Sequence, residues 1–238
     1  MMDFVVENLP RFLGGAWLTI QLVVFSCGLS FLLAVPIAFA RLSQNRVLRG
    51  IATSYVFFFR GTPLLAQLFL IYYGTGQFRP ALDAVGLWTF FRDPWFCAIL
   101  SLTLNSAAYA SEILRGAIQA IPKGEIEAAE ALGLSYLLRL RKIVLPRALR
   151  IGWPAFSNEI VYQIQATSLV SIITVLEITG VARTVGSRDF TFFEAFGLAA
   201  VLYLILVYGF LFVSRRIEMR LNKHLGMAGT GLTTGGLR

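Results

Sequence analysis

Two ionisable residues lie inside long apolar runs of this chain. Arg60 falls within the second run and Glu159 within the fourth. Because a charged side chain is costly inside a bilayer, each is a functional hypothesis by default. A carboxylate in a low-dielectric cavity stays ionised when a cation is near, so Glu159 is suited to a substrate with a guanidinium, ammonium or imidazolium group. A salt bridge between Glu159 and Arg60 explains both residues equally well.

Gly61 and Pro63 follow Arg60, and these two residue types predict that the helix opens there. An opened helix frees backbone groups that protein, water or substrate must satisfy. For Arg60 we favour a structural pairing with a carboxylate or with loop carbonyls. The predicted substrate path comprises Gly61, Thr62, Asn158, Glu159, Thr167 and Ser168. For Thr167 and Ser168, as for Gln165, hydrogen bonding between helices is the competing interpretation.

Other kinds of chemistry have no support in the chain. It contains no G-x-x-x-x-G-K-[ST] sequence, so we expect no ATP hydrolysis by this subunit. The only histidine, His224, follows the last apolar run, and Cys27 and Cys97 sit in separate runs without metal-ligand spacing. We therefore predict no catalytic residues, no metal site and no cofactor held by this chain.

The composition is that of a membrane protein. The chain is 57% hydrophobic and only 14% charged, against roughly 25% charged in an ordinary soluble domain. Five apolar runs approach or exceed the roughly 20 residues that cross a hydrocarbon core as a helix. They cover residues 14–40, 50–78, 94–111, 151–176 and 195–214. The predicted fold is an all-α polytopic membrane protein with five transmembrane helices.

The basic residues predict the orientation. Of the 21 Lys and Arg residues, 15 follow the first, third or fifth run and five lie on the other side. By the positive-inside rule the N-terminus lies outside and the C-terminus in the cytoplasm. Since the basic residues sit at the ends of spans, the net charge of +8 does not indicate nucleic acid as a partner.

A polar insert at residues 122–146 interrupts this pattern. Pro122 and three glutamates favour a helix start, and Gly133 offers a stop or a point of close contact. A second helix is predicted over residues 136–144, with Pro146 breaking it before the next span. The result is a cytoplasmic helical hairpin at the membrane surface. Attraction to anionic membrane lipid is one explanation for it.

The order of residues in the insert resembles the EAA motif of ABC importer permeases. The matching residues are Glu127, Ala128, Ala129, Gly133, Ile143, Leu145 and Pro146. Residues 59–65, 105–116, 149–159 and 167–169 are similar to segments of polar amino acid permeases, notably those for histidine, lysine, arginine and ornithine and for octopine and nopaline. Gln165 departs from the pattern, because many relatives carry Lys there.

This resemblance implies a type I ABC importer permease fold and a set of partners. The hairpin would be a coupling helix docked on cytoplasmic ATP-binding subunits, in two copies, which hold ATP and Mg. A second, related permease subunit and an external solute-binding protein complete the expected assembly in the bacterial inner membrane. The cargo would be polar, basic amino acids (histidine, arginine, lysine, ornithine) or opines, moved inward by alternating access.

The predicted organisation is one transmembrane permease domain, residues 1–225, followed by a disordered cytoplasmic tail, residues 226–238. The alternative function is an ion-gradient-driven secondary amino acid transporter. It accounts for Glu159 and for a broken span, but it predicts an inverted repeat that the sequence does not display.

Overall fold

The computed structural model describes residues 2–222, and within that range the chain is helical and contains no β-strand. The predicted tail, residues 226–238, lies outside the described residues, and so do His224 and the last three residues of the predicted permease domain, 223–225. The α-helices are α1 (Met2–Leu42), α2 (Arg46–Gly61), α3 (Leu64–Tyr72), α4 (Arg79–Ala84), α5 (Trp88–Phe91), α6 (Pro94–Gln119), α7 (Lys123–Ala131), α8 (Tyr136–Arg139), α9 (Leu145–Ala166), α10 (Ile178–Asp189) and α11 (Phe192–Asn222). Two 3-10 segments, Gly74–Phe78 and Thr167–Ile173, and one π-helical segment, Leu140–Val144, join them.

Five membrane spans are present if each bent helix pair is taken as one span. In the described chain three helices are long and apolar enough to cross alone, and they are Asp3–Leu42, Pro94–Gln119 and Phe192–Leu221. The second span is broken, with its halves at 104° to one another, and the fourth is bent by 47° before α10. The predicted five-span helical fold is confirmed.

The helices extend beyond the apolar runs that predict them. The third run ends at Ser111, but α6 continues to Gln119, and α11 begins three residues before the fifth run. The polar ends of these helices lie where the chain leaves the hydrocarbon, and the helical hydrogen-bond pattern continues past that boundary. Hydropathy therefore locates the spans but underestimates the helix lengths.

Helix α6 lies at the centre of the fold and packs against α1, α2, α3 and α9. Small side chains on it, among them Ala107, Ala108 and Ala110, are almost fully buried. Small residues at helix contacts let backbones approach closely, which is the main source of attraction between helices in lipid. The central position of α6 therefore follows from its small residues more than from its hydropathy.

The predicted break at Pro146 is absent. Helix α8, the π-helical segment and α9 follow one another without interruption, so the chain is helical from Tyr136 through Ala166. Pro146 stands in the first turn of α9, a position where proline is tolerated. In the π turn before it, the Leu145 N–H donates to the Leu140 carbonyl, and this wider turn leaves room for the proline ring. The prediction was wrong because the π turn before the proline lets the helical run continue through it.

Gly15 sets the distance between α1 and α10. A Cβ atom there would lie 3.0 Å from Val181 Cγ2 and 3.1 Å from the Ile178 backbone nitrogen. Backbone atoms cannot move aside as a flexible side chain can, so only glycine permits this contact. The preceding residue, Gly14, has no such neighbour within 4 Å.

We expect Gly15→Ala to destabilise the protein and Gly14→Ala to leave it intact or slightly more stable. Overpacking costs about 1–3 kcal/mol, which exceeds the gain of up to about 1 kcal/mol from replacing glycine by alanine in a helix. The check is the thermal midpoint of both variants in one detergent. Equal midpoints would contradict the close approach of α1 and α10.

Candidate functional site

The second span breaks between α2 and α3, and side-chain amides replace the helix hydrogen bonds lost there. Gln67 Nε2 donates to the Phe59 carbonyl at 3.0 Å and to the Thr62 carbonyl at 3.1 Å. Asn105 of α6 donates to the same Phe59 carbonyl at 3.1 Å and to Gln67 Oε1 at 3.0 Å. Gln67 and Asn105 are both buried. The break is therefore closed by protein, as non-helical backbone at membrane depth must be.

The break lies where Gly61 and Pro63 predict it, but the hydroxyl of Thr62 is already hydrogen-bonded within the protein. Its hydroxyl donates to the Phe58 carbonyl at 2.8 Å and accepts from Gln67 Nε2 at 2.7 Å. Gly61 instead lines a cavity between α1, α2 and α6. Of these two predicted path residues, Gly61 is thus the one that borders open space.

This cavity has a volume of about 370 Å³. It is lined by Arg41, Thr53, Val56, Phe57, Arg60, Gly61, Tyr109 and Glu112. Arg60 Nη1 lies 3.8 Å from Glu112 Oε2, and the guanidinium lies over the Tyr109 ring at 5.0 Å from its centroid. The structural role predicted for Arg60 is present, with Glu112 as its carboxylate. The alternative pairing with Glu159 is not formed.

Glu112 is the residue that sequence reasoning missed. Besides Arg60 it pairs with Arg41 of α1 and with Arg115, whose Nε and Nη2 donate to it at 3.0 Å. The Glu112 carboxylate thus links α1, α2 and α6. Its three arginine partners leave the cluster with a net positive charge. The available signal was an acidic residue at the end of the third apolar run, three positions before an arginine.

Glu159 lies on α9 with one carboxylate oxygen, Oε1, buried and without a hydrogen-bond partner in the described chain. A buried polar atom left unpaired is costly, so such an atom in a native fold calls for an explanation. The adjacent Asn158 is exposed. One oxygen of Glu159 thus lacks a partner in the described chain, as does Gln163 Oε1 on the same helix, whereas Asn158 lies on an exposed face.

The other polar groups on the fourth span serve the fold. Thr167 and Ser168 each donate at 2.7 Å to a carbonyl three residues earlier. The bond between helices comes from buried Gln163, whose Nε2 donates to Ser26 Oγ at 2.9 Å and to the Leu102 carbonyl at 3.2 Å. Thr167 and Ser168 remain candidate path residues only by their position, since each hydroxyl already donates to a carbonyl three residues earlier.

The predicted hairpin, residues 122–146, is anchored to the transmembrane core on one side. Ala129 of α7 is buried, and Val144 packs in a cluster with Ala38 and Leu114. Across the hairpin, Arg147 Nη2 donates to Glu125 Oε1 at 2.9 Å. Other motif residues lie outside this anchor: Glu127, Ala128 and Pro146 are exposed, and Ile143 and Leu145 are half-buried.

Gly133 ends α7 in a left-handed conformation with φ at 73°. Its N–H donates to the Glu130 carbonyl at 2.9 Å, and the Leu134 N–H donates to the Ala129 carbonyl at 3.2 Å. These two bonds form a Schellman motif, in which glycine is the favoured residue. The stop predicted at Gly133 is confirmed, and the motif glycine is explained by the turn.

An exposed apolar surface surrounds this turn. Leu132 is 80% exposed, Leu137 71% and Tyr136 66%. We call these three residues the turn surface. An exposed apolar patch of this kind marks a surface for contact with another protein or with the membrane. The sequence signal was an apolar residue on each side of Gly133.

The broken span, the central α6 and the anchored hairpin together define a transport permease that works with another protein. Residues 30–223 match the family model described as the binding-protein-dependent transport system inner membrane component. The chain belongs to this family. The resemblance to ABC importer permeases is thereby confirmed.

Named relatives are similar over most of the chain. The nopaline transport system permease protein NocM of Agrobacterium fabrum is 45% identical, covering 94% of this chain and 93% of its own. The octopine permease OccM of Rhizobium radiobacter is 43% identical, covering 85% and 82%. The histidine/lysine/arginine/ornithine permease HisM of Salmonella typhimurium is 41% identical, covering 90% and 91%.

Solved structures agree with the fold. The crystal structure of an amino acid ABC transporter with histidines matches with a TM-score of 0.81 at 29% identity, covering 92% of this chain and 98% of that one. The MetNI methionine ABC transporter, in an inward-facing conformation, matches with a TM-score of 0.75 at 21% identity, covering 90% and 98%. The second match supports the fold alone.

We expect Gln67→Leu to lower the free energy of unfolding by about 1–3 kcal/mol, because it leaves buried acceptors at the break unpaired. Gln165→Leu, on an exposed position of α9, is the matched control and should change stability little. The measurement is the thermal midpoint in one detergent.

Combining Gln67→Leu with Asn105→Leu should lower the free energy of unfolding by less than the sum of the two single changes, since both residues belong to one network. Strict additivity would contradict this network.

Proposed function

We propose that this chain is the membrane-spanning subunit of an ATP-driven importer for basic amino acids or opines. The observation that carries the proposal is the turn surface, an exposed apolar patch on a hairpin whose residues match the EAA motif. The partners are two cytoplasmic ATP-binding subunits that hold ATP and Mg, a second and related permease subunit, and an external solute-binding protein. ATP hydrolysis belongs to the ATP-binding subunits and not to this chain.

The hairpin is built to pass motion into the membrane. The chain is helical without a break from Tyr136, at the turn surface, through Glu159. At about 1.5 Å per residue that run spans roughly 35 Å. A push on the turn surface is therefore carried into α9 through one continuous helical run, in which the π turn and Pro154 are the points of bending. Rocking of this run against α6 supports alternating access.

The cargo assignment rests on Glu159. An unpaired carboxylate oxygen in a span attracts a cation, and basic amino acids carry one beyond their α-ammonium group. HisM is named for histidine, lysine, arginine and ornithine, all with basic side chains, and NocM and OccM are named for opines. The cavity lined by Gly61 and Arg60 is a separate opening that Glu159 does not line.

The proposed location is the bacterial inner membrane, with the N-terminus outside. Three arginines predicted to be cytoplasmic lie at the end of the fold that carries the hairpin. They are Arg41, Arg115 and Arg147. This arrangement supports the orientation that the positive-inside rule predicts. The rival function, ion-gradient-driven transport, is not favoured, because the family is a binding-protein-dependent one.

We expect Leu137→Glu to abolish copurification of the ATP-binding subunit and to leave the stability of the permease unchanged. Leu137 is exposed, so the change falls within about 0.5 kcal/mol for the free chain, whereas loss of a central apolar contact in an interface costs about 2 kcal/mol or more. Leu87→Glu adds the same charge to an exposed leucine outside the hairpin and is the matched control. Retention of the ATPase by Leu137→Glu, or substrate uptake without any ATPase, would contradict the proposal.

We expect Glu159→Gln to reduce uptake of arginine and histidine at least about tenfold, the effect of losing about 1.4 kcal/mol of binding. Uptake should be measured in vesicles with the complete transporter, with a neutral amino acid for comparison and Glu7→Gln, at an exposed position, as control. Partial recovery in Glu159→Asp would show that the charge matters. Unchanged arginine uptake in Glu159→Gln would refute the substrate role while leaving the ATPase coupling intact.

A further inference from the structure

A groove lies between α1 and α10, at the end of α1 opposite Arg41. Its volume is about 570 Å³, within the range of sites that hold small molecules. It is lined by Arg11, Gly14, Gly15, Leu176, Val181, Thr184, Val185 and Arg188. The floor is apolar and the two charged residues are both arginines. None of the roles considered above uses this groove.

Glycines shape the groove. Gly15 brings α1 into backbone contact with α10 and so closes the floor. Gly14 faces open space, because a Cβ atom there would have nothing within 4 Å. Leu176, on the loop before α10, is 53% exposed at the rim. The result is an open apolar channel next to Gly14 whose walls are held by the packing at Gly15.

The depth of the groove in the membrane follows from helix geometry. Arg11 and Arg41 are 30 positions apart on α1, which corresponds to about 45 Å of helix. A bilayer with its headgroups is about 40–45 Å thick. Arg41, paired with Glu112, lies at one headgroup level, so Arg11 lies at the other. Gly14 is then about 5 Å closer to the midplane, among the first methylenes of the acyl chains.

The charges at the groove suit an anion. The groove lining, taken over the described residues, contains no carboxylate. Arg11 is exposed and has no carboxylate within 4 Å in residues 2–222, but its charge acts on the nearby Asp189 carboxyl. Arg188 Nη2 lies 2.6 Å from Asp189 Oδ2 and 4.0 Å from Glu7 Oε1, so its charge is shared. Arg11 is therefore the principal anion contact, and guanidinium groups bind phosphate oxygens in bidentate geometry.

We propose that this groove binds an anionic phospholipid of the leaflet on the Arg11 side. Its phosphodiester contacts Arg11, with Arg188 as a second contact, and one acyl chain lies over Gly14 along Leu176 and Val181. The bilayer supplies a phosphate and an acyl chain together at this depth, which matches the two arginines beside an apolar floor. The lipid braces α1 against α10, and this role is independent of the cargo and of the ATPase.

The experiment counts the lipids that the full-length chain retains. The purified protein is equilibrated in mixed micelles with equal amounts of phosphatidylglycerol and phosphatidylcholine, and native mass spectrometry measures the bound molecules. We expect phosphatidylglycerol to be retained about tenfold over phosphatidylcholine, because both lipids offer the phosphodiester but only phosphatidylcholine adds a choline cation, which Arg11 and Arg188 repel. The same count is then made on three variants.

Each variant removes one part of the proposed site. Gly14→Leu fills the groove without contacting protein and should lower retention of both lipids about tenfold, as loss of buried apolar area requires. Arg11→Gln, at an exposed position that packing does not depend on, should reduce the preference for phosphatidylglycerol to about twofold or less. Gly28→Leu is the matched control, since it lies on α1 with nothing within 4 Å of its Cβ. It carries the same gain in helix propensity and should behave as the unmodified chain.

Three results would overturn the proposal. Equal retention of the two lipids by the unmodified chain would leave only nonspecific annular lipid. A phosphatidylglycerol preference that survives both Gly14→Leu and Arg11→Gln would place the lipid elsewhere. A copurifying protein that Gly14→Leu displaces, with lipid counts unchanged, would make the groove a protein interface. None of these results bears on uptake or ATPase coupling, which are measured separately.

Discussion

Inside a bilayer every backbone polar group must find a partner in the protein, and this constraint shapes the fold. At the broken second span the demand is met by Gln67 and Asn105, which donate to the freed carbonyls. At the bend of the fourth span, Glu177 is fully buried and accepts from the Gly180 N–H, so that it caps α10. Buried Gln163 bridges α9 to α1 and α6. Most of these polar residues thus form the hydrogen bonds that broken and bent helices need inside the lipid.

Two other features of the molecule are not explained by that constraint, and they carry the proposed function. Glu159 has a buried carboxylate oxygen with no partner in the described chain, and the hairpin presents apolar side chains outside the hydrocarbon. The continuous helix through the π turn joins these two places. The proposed ligand site and the proposed coupling surface thus share one helical run, while the arginine pairs of Glu112 hold α6 to α1 and α2.

Much of this arrangement is local in origin and was predictable. Continuous apolar runs require spans, Gly61 and Pro63 cannot continue a helix smoothly, and the turn at Gly133 needs a positive φ. The wrong prediction at Pro146 was also local, because a π turn is a small change in hydrogen bonding that no residue pattern announces. Helix ends were underestimated because hydropathy reports the hydrocarbon boundary and not the end of the hydrogen-bond ladder.

The sequence by itself determined the five spans, the helical hairpin and the family, since each depends on residue types at short, ordered spacings. Only the tertiary structure decided which carboxylate pairs with Arg60, that Asn105 closes a break 46 residues away along the chain, and that a groove opens beside Gly14. These contacts join helices distant in sequence. Their partners are chosen by how helices pack and rotate, which depends on small residues such as Gly15 and on every neighbouring helix at once.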